Sequence, residues 1–73
     1  MDRELISRTR RARGWSREKV AAEAGVALNT IRNIELGPHM PTVEHLRAVA
    51  TVLDLSLDEL FPAAEDPRAA VNE

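Results

Sequence analysis

The fold turns on residues 16–37, SREKVAAEAGVALNTIRNIELG. Ser16 has the chemistry of a helix N-cap, because its hydroxyl can accept a bond from a free backbone N–H in the first turn. Behind it Val20, Ala21 and Ala24 recur at helical spacing, which predicts a short helix from Arg17 to Ala24. Gly25 follows at the place where a helix commonly ends on a left-handed residue, a conformation that costs glycine nothing. A second helix is predicted from Leu28 to Leu36, with Ile31 and Ile34 inward and Gly37 as its stop. Two helices joined this tightly nearly touch, and the point of approach needs a very small side chain. Ala21 supplies it. Val20, Ala21, Ala24, Gly25, Val26, Ile31 and Ile34 all agree with one geometry, which makes the pattern far more specific than a lone glycine.

The flanking sequence extends the same pattern. Leu5, Ile6, Thr9 and Ala12 share one face of a helix expected from Asp2 to Arg13, before Gly14. Thr42 caps a fourth helix, Val43 to Leu53, in which Val43, Leu46, Val49, Ala50 and Leu53 form the apolar stripe. Ser56-Leu57-Asp58-Glu59 fits the capping box and opens a short fifth helix ending near Phe61. Pro38, Pro41, Pro62 and Pro67 all fall outside the patterned stretches. No stretch alternates with a period of two. The expectation is an all-α, compact five-helix bundle over residues 1–61, followed by a flexible acidic C-terminal tail over residues 62–73.

Composition sets the bounds. The 73 residues make one domain, and a chain of this size buries only about 60% of its unfolded surface. With no cysteine there is neither a disulfide framework nor a thiolate metal site. No apolar run approaches the ~20 residues of a membrane span, and the N-terminus lacks a signal-peptide pattern, so a soluble cytoplasmic domain with no membrane partner is expected. The net charge of −2 speaks against a nucleic-acid partner when taken whole. It conceals a split. Residues 1–35 hold eight basic groups against five acids, whereas residues 36–73 hold Arg47 and Arg68 against seven acids. One half is thus about +3 and the other about −5, a division that suits one binding face and one solubilising face.

Two short helices around a tight glycine turn are the geometry of a helix-turn-helix. From Leu5 to Phe61 the chain resembles the phage repressor/Cro-type (XRE-type) helix-turn-helix family, of lambda-repressor-like fold. The matching pieces are Arg10, Gly14-Trp15-Ser16-Arg17-Glu18, Val20-Ala21, Gly25-Val26 and Thr30-Ile31-Arg32-Asn33-Ile34-Glu35, then Gly37, Pro41-Thr42-Val43, Leu46 and Ser56-Leu57-Asp58-Glu59-Leu60-Phe61. The resemblance implies a DNA-binding transcriptional regulator, with a repressor expected. It would act as a homodimer on a pseudo-palindromic operator in double-stranded DNA, with no cofactor. It makes residues 28–36 the recognition helix, with Leu28, Asn29, Thr30 and Asn33 toward base edges. An amide can bond bidentately to adenine, and a leucine suits a thymine methyl. Arg32 would reach a phosphate or a guanine. Arg17, with the free N–H groups at its helix start, would hold a phosphate, and the backbone around Thr42 another. Arg10 and Glu35 match a partly buried ion pair of the family, whose disruption on one side costs about 3–5 kcal/mol when buried.

The sequence also departs from the family pattern. Arg17 stands where a glutamine usually braces the DNA contact, and Ala27 where a Ser or Thr usually caps the recognition helix. Pro38-His39-Met40 replaces a loop that often carries Lys or Arg. Fewer basic groups there imply fewer phosphate contacts and a shallower salt dependence.

Plainer readings stand beside these. Trp15 fits core packing at the junction of the first two helices. His39 and His45 lack a third ligand for zinc and read as solvated or capping residues, so no metal site is expected. Arg8, Arg10, Arg11 and Arg13 point in several directions and need not form one phosphate-tracking stripe. Leu57 and Phe61, with Leu55 and Val71, exceed what a tiny core needs, which suggests a dimer contact through the fifth helix. Nothing among the serines and histidines suggests catalysis. Other functions remain open: a protein-interaction module without DNA binding, the DNA-binding component of a two-protein switch (an antitoxin or a restriction–modification controller), or an activator presenting Glu18 and Glu23 to polymerase.

Overall fold

The computed structural model describes residues 1–61. Its five helices are α1 (Arg3–Ala12), α2 (Arg17–Ala24), α3 (Leu28–Leu36), α4 (Val43–Val52) and α5 (Leu57–Leu60). The described residues form an all-helical bundle with no strand. The expected tail, with Val71, lies outside them.

Each start but one has a local cause. Asp2 Oδ1 accepts from the Leu5 N–H at 3.0 Å, Ser16 Oγ from Lys19 at 3.0 Å and Thr42 Oγ1 from His45 at 3.2 Å. At α5 the capping box closes in both directions: Ser56 Oγ accepts from the Glu59 N–H, and Glu59 Oε2 accepts from the Ser56 N–H at 2.7 Å. Four orphan N–H groups at a helix start otherwise need water, so these bonds set the boundaries. α3 is the exception, since Ala27 offers no side-chain acceptor.

Three helices end in the same way. At α2 the Val26 N–H donates to the Ala21 carbonyl at 3.0 Å and the Gly25 N–H to Ala22 at 3.3 Å, the paired bonds of a Schellman motif. Gly25 takes φ 71°, ψ 33° there. The same pair of bonds closes α1, through Gly14 and Trp15, and α4, through Asp54 and Leu55. At α4 the left-handed residue is Asp54, with φ 58°, and no glycine marks the stop.

The core gathers Ile6 of α1, Val20 and Ala21 of α2, Ile31 and Ile34 of α3, Leu46, Val49 and Ala50 of α4, then Leu53, Leu57, Leu60 and Phe61. The Asp2 N–H donates to the Leu60 carbonyl at 2.7 Å, so the chain start is pinned to α5. One expectation is corrected. Ala12 is exposed, and Arg10 takes the inward place on α1, because its charge is met by a buried carboxylate. Leu57 and Phe61 are only 8% and 4% exposed. Both side chains belong to the core of the single chain, Leu57 from α5 and Phe61 just after it.

Candidate nucleic-acid interface

α3 buries Ile31, Ile34 and Glu35 and turns its other side outward. Asn29 and Arg32 are exposed; Leu28, Thr30 and Asn33 are half-buried. Thr30 and Asn33 line one wall of a groove of about 220 Å³. The other wall is the loop after Gly37 and the start of α4: His39, Met40, Pro41, Thr42 and His45. The structure therefore brings three of the expected site residues, Thr30, Asn33 and Thr42, around one concavity. Leu28, Asn29 and Arg32 lie outside its lining. The Thr42 hydroxyl is engaged as the α4 cap, which leaves the backbone of the first turn to face outward ligands.

Behind α3 lies an ionic network. Arg10 forks onto Glu35, with Nε donating to Oε2 at 2.7 Å and Nη2 to Oε1 at 3.1 Å. Its Nη1 donates to the Trp15 carbonyl at 2.9 Å. Arg17 Nε also donates to Glu35 Oε1, at 3.0 Å. The Glu35 side chain has no exposure, that of Arg10 10% and that of Arg17 35%. Burial pushes the Glu35 carboxyl up. Hydrogen bonds from Arg10, Arg17 and Ser7, with the charge of Arg10, outweigh it and hold the group below 4.5. Among the described residues no buried side-chain polar atom lacks a partner.

Sequence reasoning assigned Arg17 to a phosphate and did not foresee its bond to Glu35. Its Nε is turned inward to Glu35, so only the outer part of the guanidinium faces solvent. It also missed two arginines that close helix ends. Arg13 Nη2 donates to the Leu53 carbonyl at 3.0 Å, at the end of α4. Arg3 Nη1 donates to the carbonyls of Asn33 and Ile34, and its Nη2 to that of His39. The sequence held one hint, since α3 has no basic residue in its last turn to meet its carbonyls. Which distant cation would serve was not readable.

Trp15 is half-buried against the core, with Arg13 Cζ 5.3 Å and Lys19 Nζ 5.5 Å from its ring centre. Arg8 lies 3.7 Å from Glu4. With Arg10 turned to Glu35 and Arg13 to Leu53, the α1 arginines do not form one stripe. His39 and His45 share the groove wall, and no group of three metal-binding side chains exists among the described residues. No described helix is long and apolar enough to cross a membrane.

The comparisons agree with this architecture. A helix-turn-helix family model matches residues 6–60. The HTH-type transcriptional regulator SlrR of Bacillus subtilis (strain 168) is 37% identical over 81% of this chain and 40% of its own length. The cryptic phage CTXphi transcriptional repressor RstR of Vibrio cholerae serotype O1 is 33% identical over 80% of this chain and 52% of its own length. An uncharacterized HTH-type transcriptional regulator of B. subtilis, YazB, is 32% identical over 73% of this chain and 77% of its own length. The chain thus spans about half, or less, of the first two relatives. No solved structure matches significantly. With the Gly25 turn between α2 and α3, the Arg10–Glu35 pair behind them and a family match that spans all five helices, the chain belongs to the phage repressor/Cro-type helix-turn-helix family.

Proposed function

We propose that this protein is a sequence-specific DNA-binding transcriptional regulator of the repressor kind, reading the major groove with α3. The observation that carries the reading is the outward face of α3. It presents Asn29, half-covered Thr30 and Asn33 beside the start of α4, on a helix held from behind by a buried ion network. Amides on such a face are suited to adenine edges, and Leu28 to a thymine methyl. Arg32, the outer part of Arg17 and the free N–H groups at the starts of α2 and α4 supply phosphate contacts that set orientation. Such a regulator acts as a homodimer on a pseudo-palindrome, with the two α3 helices about 34 Å apart.

The test begins with enrichment of duplexes by the wild-type chain from a randomised pool. Asn29→Ala with Asn33→Ala should reduce discrimination between the enriched and an unrelated duplex by about 1–3 kcal/mol for each base no longer read. Undiminished discrimination would remove α3 as the reader. Enriched sites without two symmetric half-sites, or a monomer by sedimentation on DNA, would remove the homodimer.

A further inference from the structure

The two ends of α3 are held unequally. Its first turn has no side-chain cap. Its last turn, with no basic residue of its own, is met by Arg3 from 30 residues away. One guanidinium joins two separate pieces. Its Nη1 takes the orphan carbonyls of Asn33 and Ile34, and its Nη2 takes the His39 carbonyl in the following loop. Asn33 lies on one wall of the groove and His39 on the other. Gly37, between them, runs at φ 72°, and a Cβ there would lie 3.3 Å from Arg3 Cζ. The backbone at this corner is therefore fitted to the arginine. A lysine would keep the charge but not the planar fork that spans both pieces.

We infer that Arg3 is a positioning residue for DNA reading: it fixes the spacing between Asn33 and the start of α4 without touching DNA. The inference rests on the reading of α3 as the DNA-contacting helix. A fork bound to the last turn of α3 and the loop keeps base contacts and backbone contacts in one register. Loosening it lets the loop and α4 shift against α3, so base contacts and phosphate contacts are no longer met together. Discrimination falls, while general attraction to DNA does not.

The experiment compares wild type, Arg3→Lys and Arg3→Ala as full chains. The probes are a duplex enriched by wild type from a randomised pool and an unrelated duplex of the same length. Affinity for each is measured across a salt series, with circular dichroism reporting the folded fraction. The expected result is a roughly tenfold fall in the affinity ratio for both variants, the scale of one base contact, with affinity for the unrelated duplex and its salt slope unchanged. A wild-type ratio in folded variants would overturn the inference and leave Arg3 a purely structural cap. A weaker unrelated-duplex affinity, with a salt slope reduced by about 1, would overturn it in favour of a phosphate contact. If Arg3→Ala does not fold, Arg3→Lys decides by the affinity ratio alone, because lysine keeps the charge that sets the salt slope. Failure of wild type to enrich any duplex would overturn the DNA-reading assignment and this inference with it, whereas enrichment with unchanged ratios overturns this inference alone.

Discussion

The carboxylate of Glu35 sits where α1, the start of α2 and α3 meet, and two guanidiniums converge on it. Its removal leaves Arg10, whose side chain is 10% exposed, with an unmatched charge. Glu35→Gln is expected to cost about 3–5 kcal/mol in urea unfolding at neutral pH, a large share of the roughly 5–15 kcal/mol typical of a domain. The two arginines are not equal. Arg10→Met should cost nearly as much as the glutamate change. Arg17→Met should cost less, about 1 kcal/mol or below, because that side chain is 35% exposed and solvent screens it. The pH dependence follows from the lowered carboxyl. A group depressed by folding stabilises fully above its unfolded value, here 4.5, and loses that contribution as pH falls through its lower folded value. Stability of the wild type should therefore drop below about pH 4.5 more steeply than that of Glu35→Gln, a difference that paired denaturant titrations across that range would reveal. The Arg10–Glu35 pair was legible only through family resemblance, because no local rule links residues 25 apart. The inward turn of Arg17 was not legible at all. An arginine at the start of a helix reads as an outward cation, and only the folded geometry brings Glu35 Oε1 to 3.0 Å from its Nε.

Among the helices, the starts and stops were legible wherever a local residue enforces them. Ser16, Gly25 and Gly37 delimit α2 and α3 at the residues where the sequence places them. The end of α4 was less visible because Asp54, and no glycine, adopts the left-handed conformation there. The long-range caps from Arg3 and Arg13 were invisible because they depend on how α1 packs against α3 and α4. The uncapped start of α3 gives a direct test. Ala27 has φ −71° and ψ 150°, already the extended geometry of a capping residue. Ala27→Ser should add the missing bond to the first turn and stabilise by about 1 kcal/mol, which raises the melting temperature by roughly 4–8 °C in a domain of this size. The turn glycines give a second. A Cβ at Gly25 meets nothing within 4 Å, so Gly25→Ala should cost only the left-handed backbone term, about 1–2 kcal/mol. Gly37, at φ 72° and ψ −164°, occupies a region essentially reserved for glycine, and a Cβ there also presses on Arg3, so Gly37→Ala should lose more stability in the same melting experiment.

At the scale of the molecule, the charge of the first 35 residues is less available than its excess suggests. Arg3 and Arg13 donate to helix carbonyls, and Arg10 is sealed against Glu35. Arg8 and Lys19 stand 3.7 and 3.8 Å from Glu4 and Glu23. Among the described residues the side chains of Arg11, Arg32 and Arg47 have no ion pair or hydrogen bond, and Arg17 is only partly committed. Half of the eight cations, Arg3, Arg10, Arg13 and Arg17, thus serve the fold, which leaves fewer for phosphates than the excess suggests. Each phosphate neutralised contributes about −0.9 to the slope of log affinity against log salt, so two to four contacts per domain give roughly −2 to −4. Affinity for an unrelated duplex should follow that shallow slope across a salt titration. Arg32→Gln should flatten it by about 1, with little change in melting temperature, because Arg32 is exposed and unpaired. Arg13→Gln should do the reverse, lowering the melting temperature while leaving the slope in place, since its guanidinium serves the end of α4 and the face of Trp15. If Arg13→Gln instead flattened the slope, the arginines now turned into the fold would have to swing out to the duplex on binding. The bundle would then be a reservoir of phosphate contacts, and the acidic net charge would no longer measure its reach for DNA.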